Sequence, residues 1–342
     1  MTYSPQKLIV TGGAGFIGSC FVAQAVARGQ QVLVIDALTY AGHRENLNWI
    51  PQIKGGWQLE VANIQDGQKM LEIFRSFQPD AVLNFAAESH VDNSIASPAE
   101  FIHTNILGTY ALLEAARTYW QESGKQDFRY LQVSTDEIYG SLDLGSPEKF
   151  HEETSIKPSS PYSASKAAAD HLALAWYHTY GLPTLITNCT NNYGPRQYPE
   201  KLIPLMVSHA LSGKPLPVYG DGLNVRDWIH VEDHCEGIYL ALIKGRLGER
   251  YCFGGNAEKK NIEVVQTICQ VLQEVQPHQE GYERLITFVK DRAGHDRRYA
   301  MDDSKAVKEL GYTRRYQFES GLRQTIEWYL ANDAWIKAVT GK

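Results

Sequence analysis

Lys7-Leu8-Ile9-Val10-Thr11-Gly12-Gly13-Ala14-Gly15-Phe16-Ile17-Gly18 decides how the rest of the chain is read. A short β-type run leads into glycines 12, 15 and 18, spaced three apart, and a helical pattern then continues to about Arg28. A strand that turns into a helix over glycines lets the backbone approach a pyrophosphate, because no Cβ stands in the way. The start of the helix offers free N–H groups to the phosphates. A lone glycine pattern is weak; this one has the strand before it and the helix after it. A second strand over residues 31–35 ends in Asp36, 18 residues after Gly18. An acid there accepts hydrogen bonds from adenosine ribose hydroxyls and repels a 2′-phosphate, so the expected cofactor is NAD rather than NADP.

Strands and helices keep alternating beyond this unit. Residues 57–61 read as a strand followed by Asn63 and Ile64, residues 68–77 as a helix, and residues 81–85 as a strand. Ala86 and Ala87 after it are small enough for a cofactor to lie against the backbone, and the polar run Glu88-Ser89-His90-Val91-Asp92 leaves on the same side. One long helix is expected over 101–117, then a strand at 130–133. This alternation predicts an α/β fold with a doubly wound, Rossmann-type parallel sheet. Farther on, helices are expected to about Tyr180, after residues 201–204 to 211, to 243, to 275, at 304–310 and at 318–330. Between them lie strands at 183–187, 216–219, 226–231, 251–253 and 287–289. Two interleaved lobes are expected. Residues 1–190 with about 224–253 form the NAD-binding domain. Residues 191–223 and 254–342 form a smaller, mixed substrate-binding lobe.

Composition narrows the class. The chain has 342 residues and a net charge of -6, with no basic tail or block, which argues against a nucleic-acid partner. No apolar run reaches membrane-spanning length, and residues 1–6 lack a signal-peptide pattern. The five cysteines are scattered without Cys-x-x-Cys spacing, so neither a metal site nor a disulfide framework is expected, and the compartment is read as cytoplasmic.

The chemistry concentrates in Ser134-Thr135-Asp136-Glu137-Ile138-Tyr139-Gly140. Two adjacent carboxylates follow a buried strand, where ligands bind in open parallel sheets. An arbitrary Thr-Asp-Glu would be a solvated turn; burying one is costly without a task. Tyr162 and Lys166, four apart, share a helix face, and an ammonium near a phenol stabilises phenolate. Most Tyr-x-x-x-Lys pairs mean nothing, but this one comes with Thr135 and a nicotinamide-type loop. Asn191 and Asn192 at another strand end can each read a ligand.

These residues resemble the extended short-chain dehydrogenase/reductase superfamily, and within it the dTDP-glucose 4,6-dehydratase family. The glycine stretch and Tyr162-x-x-x-Lys166 are general to the superfamily. The narrowing features are residues 86–92, 134–140, 191–195, 199–204, 226–228 and 294–299. The resemblance covers nearly the whole chain. It implies redox-neutral loss of water from a nucleotide sugar. Tyr162, helped by Lys166 and Thr135, serves the sugar 4-hydroxyl, Glu137 takes the C5 proton, and Asp136 protonates the departing C6 hydroxyl. The family supplies that division of the two carboxylates; sequence order does not. By the same resemblance Phe16, Ile17, Asp36, Leu38, Thr39, Asn63, Ile64, Ala86, Ala87, Thr104, Tyr162, Lys166 and Asn192 face NAD. Ser89, Thr135, Asn191, Lys201, Leu202, Pro217, Tyr219, Arg226, Asn261, Arg292 and His295 face the sugar nucleotide. Asn63, Asn93, Arg196 and His230 depart from the family pattern, Arg196 standing where an aromatic is usual and bearing on base or phosphate specificity.

Two other readings share parts of this pattern. A sugar-nucleotide 4-epimerase would use the same fold, NAD, Tyr162 and Lys166, and Asp136-Glu137 argues against it. A silent NAD-binding module would have no use for the full set. Another nucleotide sugar is a further alternative to dTDP-glucose. The resemblance also implies a homodimer through a four-helix bundle, with residues 101–117 and 163–180 as the candidate helices.

Overall fold

The computed structural model describes residues 3–52 and 56–341. Its strands are β1 (Lys7–Thr11), β2 (Gln31–Asp36), β3 (Trp57–Val61), β4 (Ala81–Asn84), β5 (Arg129–Thr135) and β6 (Thr184–Cys189), then β7 (Asn191–Tyr193), β8 (Leu216–Tyr219), β9 (Val225–His230), β10 (Arg250–Phe253), β11 (Glu258–Lys260) and β12 (Ile286–Val289). The helices are α1 (Phe16–Ala27), α2 (Gly67–Phe77), α3 (Val91–Ala96), α4 (Pro98–Phe101), α5 (Thr109–Ser123) and α6 (Pro161–Tyr180), then α7 (Leu202–Leu211), α8 (Val231–Lys244), α9 (Asn261–Val275), α10 (Ser304–Leu310), α11 (Phe318–Ala331) and α12 (Asp333–Thr340).

Seven strands form one parallel sheet in the order β10-β6-β5-β4-β1-β2-β3. Alternation along each strand divides its side chains between two cores. Leu8, Val10, Val32 and Val34 join the core under α1, α8 and α10, while Ile9, Leu33 and Ile35 join the one under α2 and α5. Apolar residues on both faces are what a sheet covered by helices on both sides requires. The strand order reverses between β1 and β4, and the crevice beyond their carboxyl ends is where such sheets bind ligands.

The smaller part holds a three-stranded sheet, β11-β9-β7, and a two-stranded one, β12-β8. They pack with α7, α9 and α11 around Trp228, Ile268, Leu322 and Ile326. Residues 225–230 pair here, and the chain returns to the large sheet through α8 and β10. Only Thr190 separates β6 from β7, so Asn191 and Asn192 stand where one sheet hands over to the other.

Several elements differ from the sequence reading. The stretch expected as one helix over 101–117 is helical from Pro98 to Ser123 and contains a π-helical turn, Ile102–Gly108. The turn carries buried Asn105, whose Oδ1 accepts from Glu88 N at 2.9 Å and whose Nδ2 donates to Glu88 O at 3.0 Å and Ser165 Oγ at 2.8 Å. An apolar period cannot register such a turn, which tertiary hydrogen bonds favour. Asp92 lies in the first turn of α3 rather than in a loop, and His90 caps that helix, its Nδ1 accepting from Asn93 N at 3.3 Å. β7, β11 and α12 were not read as elements; three-residue strands are too short to display a period. All five cysteines are buried free thiols. Among the described residues, no helix is long and apolar enough to cross a membrane.

Candidate active site

A cleft of about 330 Å³ runs along the crevice, lined at one end by Gly12, Gly15, Phe16, Ile17, Gly18 and Asp36. The glycines are required by close approach. A Cβ on Gly12, at φ +67°, would stand 2.6 Å from Ala86 N, and one on Gly18 would stand 2.3 Å from Gly12 O. Gly15 caps α1 without a side-chain hydrogen bond, and no acid lies in the first turn. The helix start therefore keeps donors for an anion. Asp36 Oδ2 accepts from Ala14 N at 2.9 Å and Oδ1 from Leu38 N at 2.8 Å. Each carboxylate oxygen is fixed by one backbone donor and retains a lone pair for a ribose hydroxyl. These residues fit a dinucleotide. Thr39, Asn63, Ile64, Ala86, Ala87, Thr104, Tyr162, Lys166 and Asn192 also line the cleft. Leu38 does not; its N–H serves Asp36, and its side chain packs on the α1 core.

At the centre β5 ends in Thr135, and a single 3₁₀ turn, Asp136–Tyr139, presents both carboxylates. Thr135 Oγ1 donates to Asp136 Oδ1 at 3.2 Å and accepts from Glu137 N at 3.3 Å. Asp136 is buried, and its Oδ2 has no hydrogen-bond partner among the described residues. Burial pushes the Asp136 carboxyl well above the usual range, the Glu137 charge pushes the same way, and Arg226 opposes them. Burial also raises Glu137, but three cations oppose it: Arg292, Arg226 and Lys201. Both adjacent carboxyls are thus raised by burial, but in unlike fields: three cations face Glu137, while Asp136 meets the Glu137 charge and Arg226.

Tyr162 and Lys166 both face this turn from α6. Lys166 Nζ donates to Val133 O at 2.8 Å, and burial lowers its pKa against Asp170 and Cys189. The lowered tyrosine expected from the Tyr–Lys spacing is not what the structure shows. Burial, with the Glu137 and Cys189 charges behind it, holds the Tyr162 phenol well above its usual value, and only the hydrogen bond with Thr135 opposes.

Ser89, Asn191 and Lys201 line the far end of the cleft. Leu202, Pro217, Tyr219, Arg226, Asn261, Arg292 and His295 lie outside that lining. Their charges are nevertheless gathered. Lys201 Nζ donates to Ser89 O at 3.0 Å, and burial lowers its pKa. Arg292 donates to Asp92 Oδ1 at 3.3 Å, Tyr219 OH to Asp92 Oδ2 at 3.4 Å, and His295 Nδ1 sits 2.6 Å from Asp291 Oδ1. Arg226 donates to Asp296 O at 2.9 Å. Asn191 Oδ1, Asn261 Oδ1 and Arg292 Nε are buried without a partner among the described residues. Unpaired buried polar atoms on three different segments suit a ligand that supplies the missing bonds.

The sequence reading missed Tyr40, Gly42 and Tyr198, and it took Glu88 and Glu200 only as members of the stretches 88–92 and 199–204; all five line the cleft. At Gly42 a Cβ would stand 2.5 Å from Asp36 Oδ1, a close approach that only the fold displays. The departures from the family pattern fall as follows. Asn63 Oδ1 accepts from Gln65 N at 2.9 Å, an oxygen that an Asp would also offer. Asn93 lies on α3 away from the lining. His230 caps α8 through Nδ1 and stacks on Tyr316 at 3.7 Å. Arg196 does not line the cleft; its guanidinium lies between Trp49 and Trp328, because an arginine plane stacks on indoles as an aromatic would.

The GDP-mannose 4,6 dehydratase family model matches residues 9–325. The chain is 55% identical over 338 residues to the dTDP-glucose 4,6-dehydratase of Xanthomonas campestris pv. campestris (strain B100), covering 97% of this chain and 95% of that one. It is 52% identical over 345 residues to dTDP-glucose 4,6-dehydratase 1 of Escherichia coli (strain K12), covering 98% and 95%. A dTDP-glucose 4,6-dehydratase from Streptomyces venezuelae, solved with NAD and TYD bound, superposes with a TM-score of 0.89 at 43% identity, covering 97% and 99%. Likeness of this extent, together with the paired carboxylates beside a dinucleotide crevice, places the chain in the dTDP-glucose 4,6-dehydratase family.

Proposed function

We propose that the chain removes water from dTDP-glucose without net oxidation, giving dTDP-4-keto-6-deoxyglucose. NAD, held by the glycine turn and Asp36, supplies a hydride acceptor for C4 and a hydride donor for C6. Tyr162 takes the 4-hydroxyl proton, with Thr135 hydrogen-bonded to its phenol and Lys166 supplying positive charge on the same helix face. The 4-ketone acidifies C5. Glu137 then removes the C5 proton while Asp136 gives its own proton to the C6 hydroxyl, which leaves as water. Glu137 finally returns the proton to C5. Lys201, Arg292 and Arg226 oppose the burial that raises Glu137, and they suit a diphosphate. Ser89, Asn191, Leu202, Pro217, Tyr219, Asn261 and His295 complete the proposed substrate contacts.

The observation that carries this reading is the pair of adjacent carboxylates, Asp136 and Glu137, presented by the turn after β5 into the same cleft as the glycine turn. An epimerase needs neither a C5 base nor an acid for a leaving hydroxyl. The test is mass spectrometry of dTDP-glucose incubated with the protein and no added oxidant or reductant. Loss of one water, with deuterium entering C5 in D2O, is expected, and Glu137→Gln slows it by about 100- to 10,000-fold with the fold intact. A C4 epimer of unchanged mass would replace this reading with the epimerase.

Two further features belong to the proposal. Ile102, Leu107, Tyr110 and Tyr180 are exposed on the two helical segments expected to pair, which supports a homodimer through a four-helix bundle. Five reduced, buried thiols support a reducing compartment, the cytoplasm. We also assign residues 225–230 to the substrate lobe, because β9 pairs there.

A further inference from the structure

The C-terminal helices reach back to the loop beside the dinucleotide end, a contact that the chemistry above does not use. Trp335 Nε1 on α12 donates to Asn46 Oδ1 at 3.0 Å. Asn46 is buried, and its Nδ2 donates to Ala14 O at 2.8 Å, an oxygen that also accepts from His43 N at 3.0 Å. The N–H of Ala14 is the one that fixes Asp36. The indole of the last helix is thus two hydrogen bonds away from the glycine turn.

A second link runs beside the first. Arg196 holds its guanidinium 3.9 Å from the Trp49 ring centre and 4.9 Å from that of Trp328. Trp49 Nε1 donates to Asn46 O at 2.8 Å, and Trp328 packs against Trp335 with centroids 5.2 Å apart. Both links end on residues 43–50, directly after Tyr40, Ala41 and Gly42, which line the cleft. Asn46, Trp49, Arg196, Trp328 and Trp335 do not line it.

We propose that Trp335 and Arg196 are positioning residues that latch the loop of residues 37–50 against the glycine turn and so slow release of the dinucleotide. Its purpose rests on the proposed reaction: a hydride taken at C4 must return to C6 of the same sugar, so a dinucleotide lost in between wastes the turnover. The latch itself is testable without that reaction. The protein is loaded with NAD, diluted, and the release rate followed with no sugar nucleotide present. Trp335→Phe keeps the ring and removes the donor, leaving Asn46 Oδ1 unpaired; release about fivefold faster is expected. Arg196→Gln removes the cation from between the indoles and is expected to speed release about threefold, with Arg196→Lys in between. The melting temperature of the NAD-free variants should stay near that of the parent, while its rise on adding NAD shrinks. Folded variants that release NAD at the parental rate overturn the latch, whatever the chain does to dTDP-glucose. If Trp335→Phe does not fold, the Arg196 pair decides. A parent protein that retains NAD but leaves dTDP-glucose unchanged would count against the proposed reaction and not against the latch.

Discussion

At the dinucleotide end of the cleft the groups that meet the ligand are largely backbone: the turn at Gly12 to Gly18, the uncapped start of α1, and a carboxylate fixed by two N–H groups. At the sugar-nucleotide end they are long charged side chains already engaged with one another, such as Arg292 with Asp92 and Lys201 with Ser89 O. The first end is formed before any ligand arrives. The second must exchange internal partners for a diphosphate, so its affinity is a difference between two sets of charge-assisted bonds. Tolerance to substitution should differ accordingly, and so should sensitivity to salt.

Gly18→Ala should break the comparison at its rigid end. Its Cβ would stand 2.3 Å from a backbone carbonyl oxygen, and neither segment can yield without moving the turn. Loss of stability of about 3 kcal/mol and purification without NAD are expected, read by a melting curve and by the cofactor content of the protein. A variant that retained NAD would mean that the turn is not built on contact. Arg292→Met acts on the other end. It should raise KM for the sugar nucleotide about 10- to 100-fold and leave NAD retention alone. The parent KM should climb more steeply with ionic strength than that of the variant. Equal salt dependence would remove the charge-exchange account.

The smallest expected effect concerns the junction of the two ends. His234 Nδ1 is 3.0 Å from Asn192 Oδ1, and since the Asn192 amide donates to Thr190 O, this histidine carries its proton on Nδ1. Burial lowers His234 to about 3 and His230 to about 4. Both values lie below the ordinary 6.5. The unfolded chain therefore takes up protons first as the pH falls. Their stabilisation is complete above about pH 6.5 and is lost progressively toward about pH 4 for His230 and about pH 3 for His234. His234→Gln should lessen the loss between pH 6.5 and 5 by about 2 kcal/mol, measured by urea unfolding at each pH. Parallel curves for parent and variant would show that His234 is not the sensor.

What was legible in the sequence follows the same division. Glycines 12, 15 and 18 and Asp36 were readable because a close approach and a strand end each leave a local mark. Arg196 was not. Its position after Gly194-Pro195 pointed toward the nucleotide, yet its partners Trp49 and Trp328 are 147 residues before it and 132 after it. α12, the π turn at Asn105 and the short strands β7 and β11 escaped because each is held by contacts from elsewhere rather than by its own period. Tyr162 shows the limit of pair reasoning. The spacing to Lys166 was correct, but the Lys166 ammonium is engaged with β5 and burial governs the phenol.

The sequence by itself determined the parallel sheet, the dinucleotide end, and which side chains, from Thr135 to Lys166, gather at the reacting centre. Those properties depend on apolar alternation, on residues without Cβ, and on side chains a few positions apart. Only the tertiary structure decided which charges face Asp136 and which face Glu137, and that the last helix reaches the loop beside the dinucleotide end. The ionisation of a buried carboxylate depends on the charges facing it. Those facing Glu137, Arg226 and Arg292 among them, come from far along the chain and are brought together only by folding.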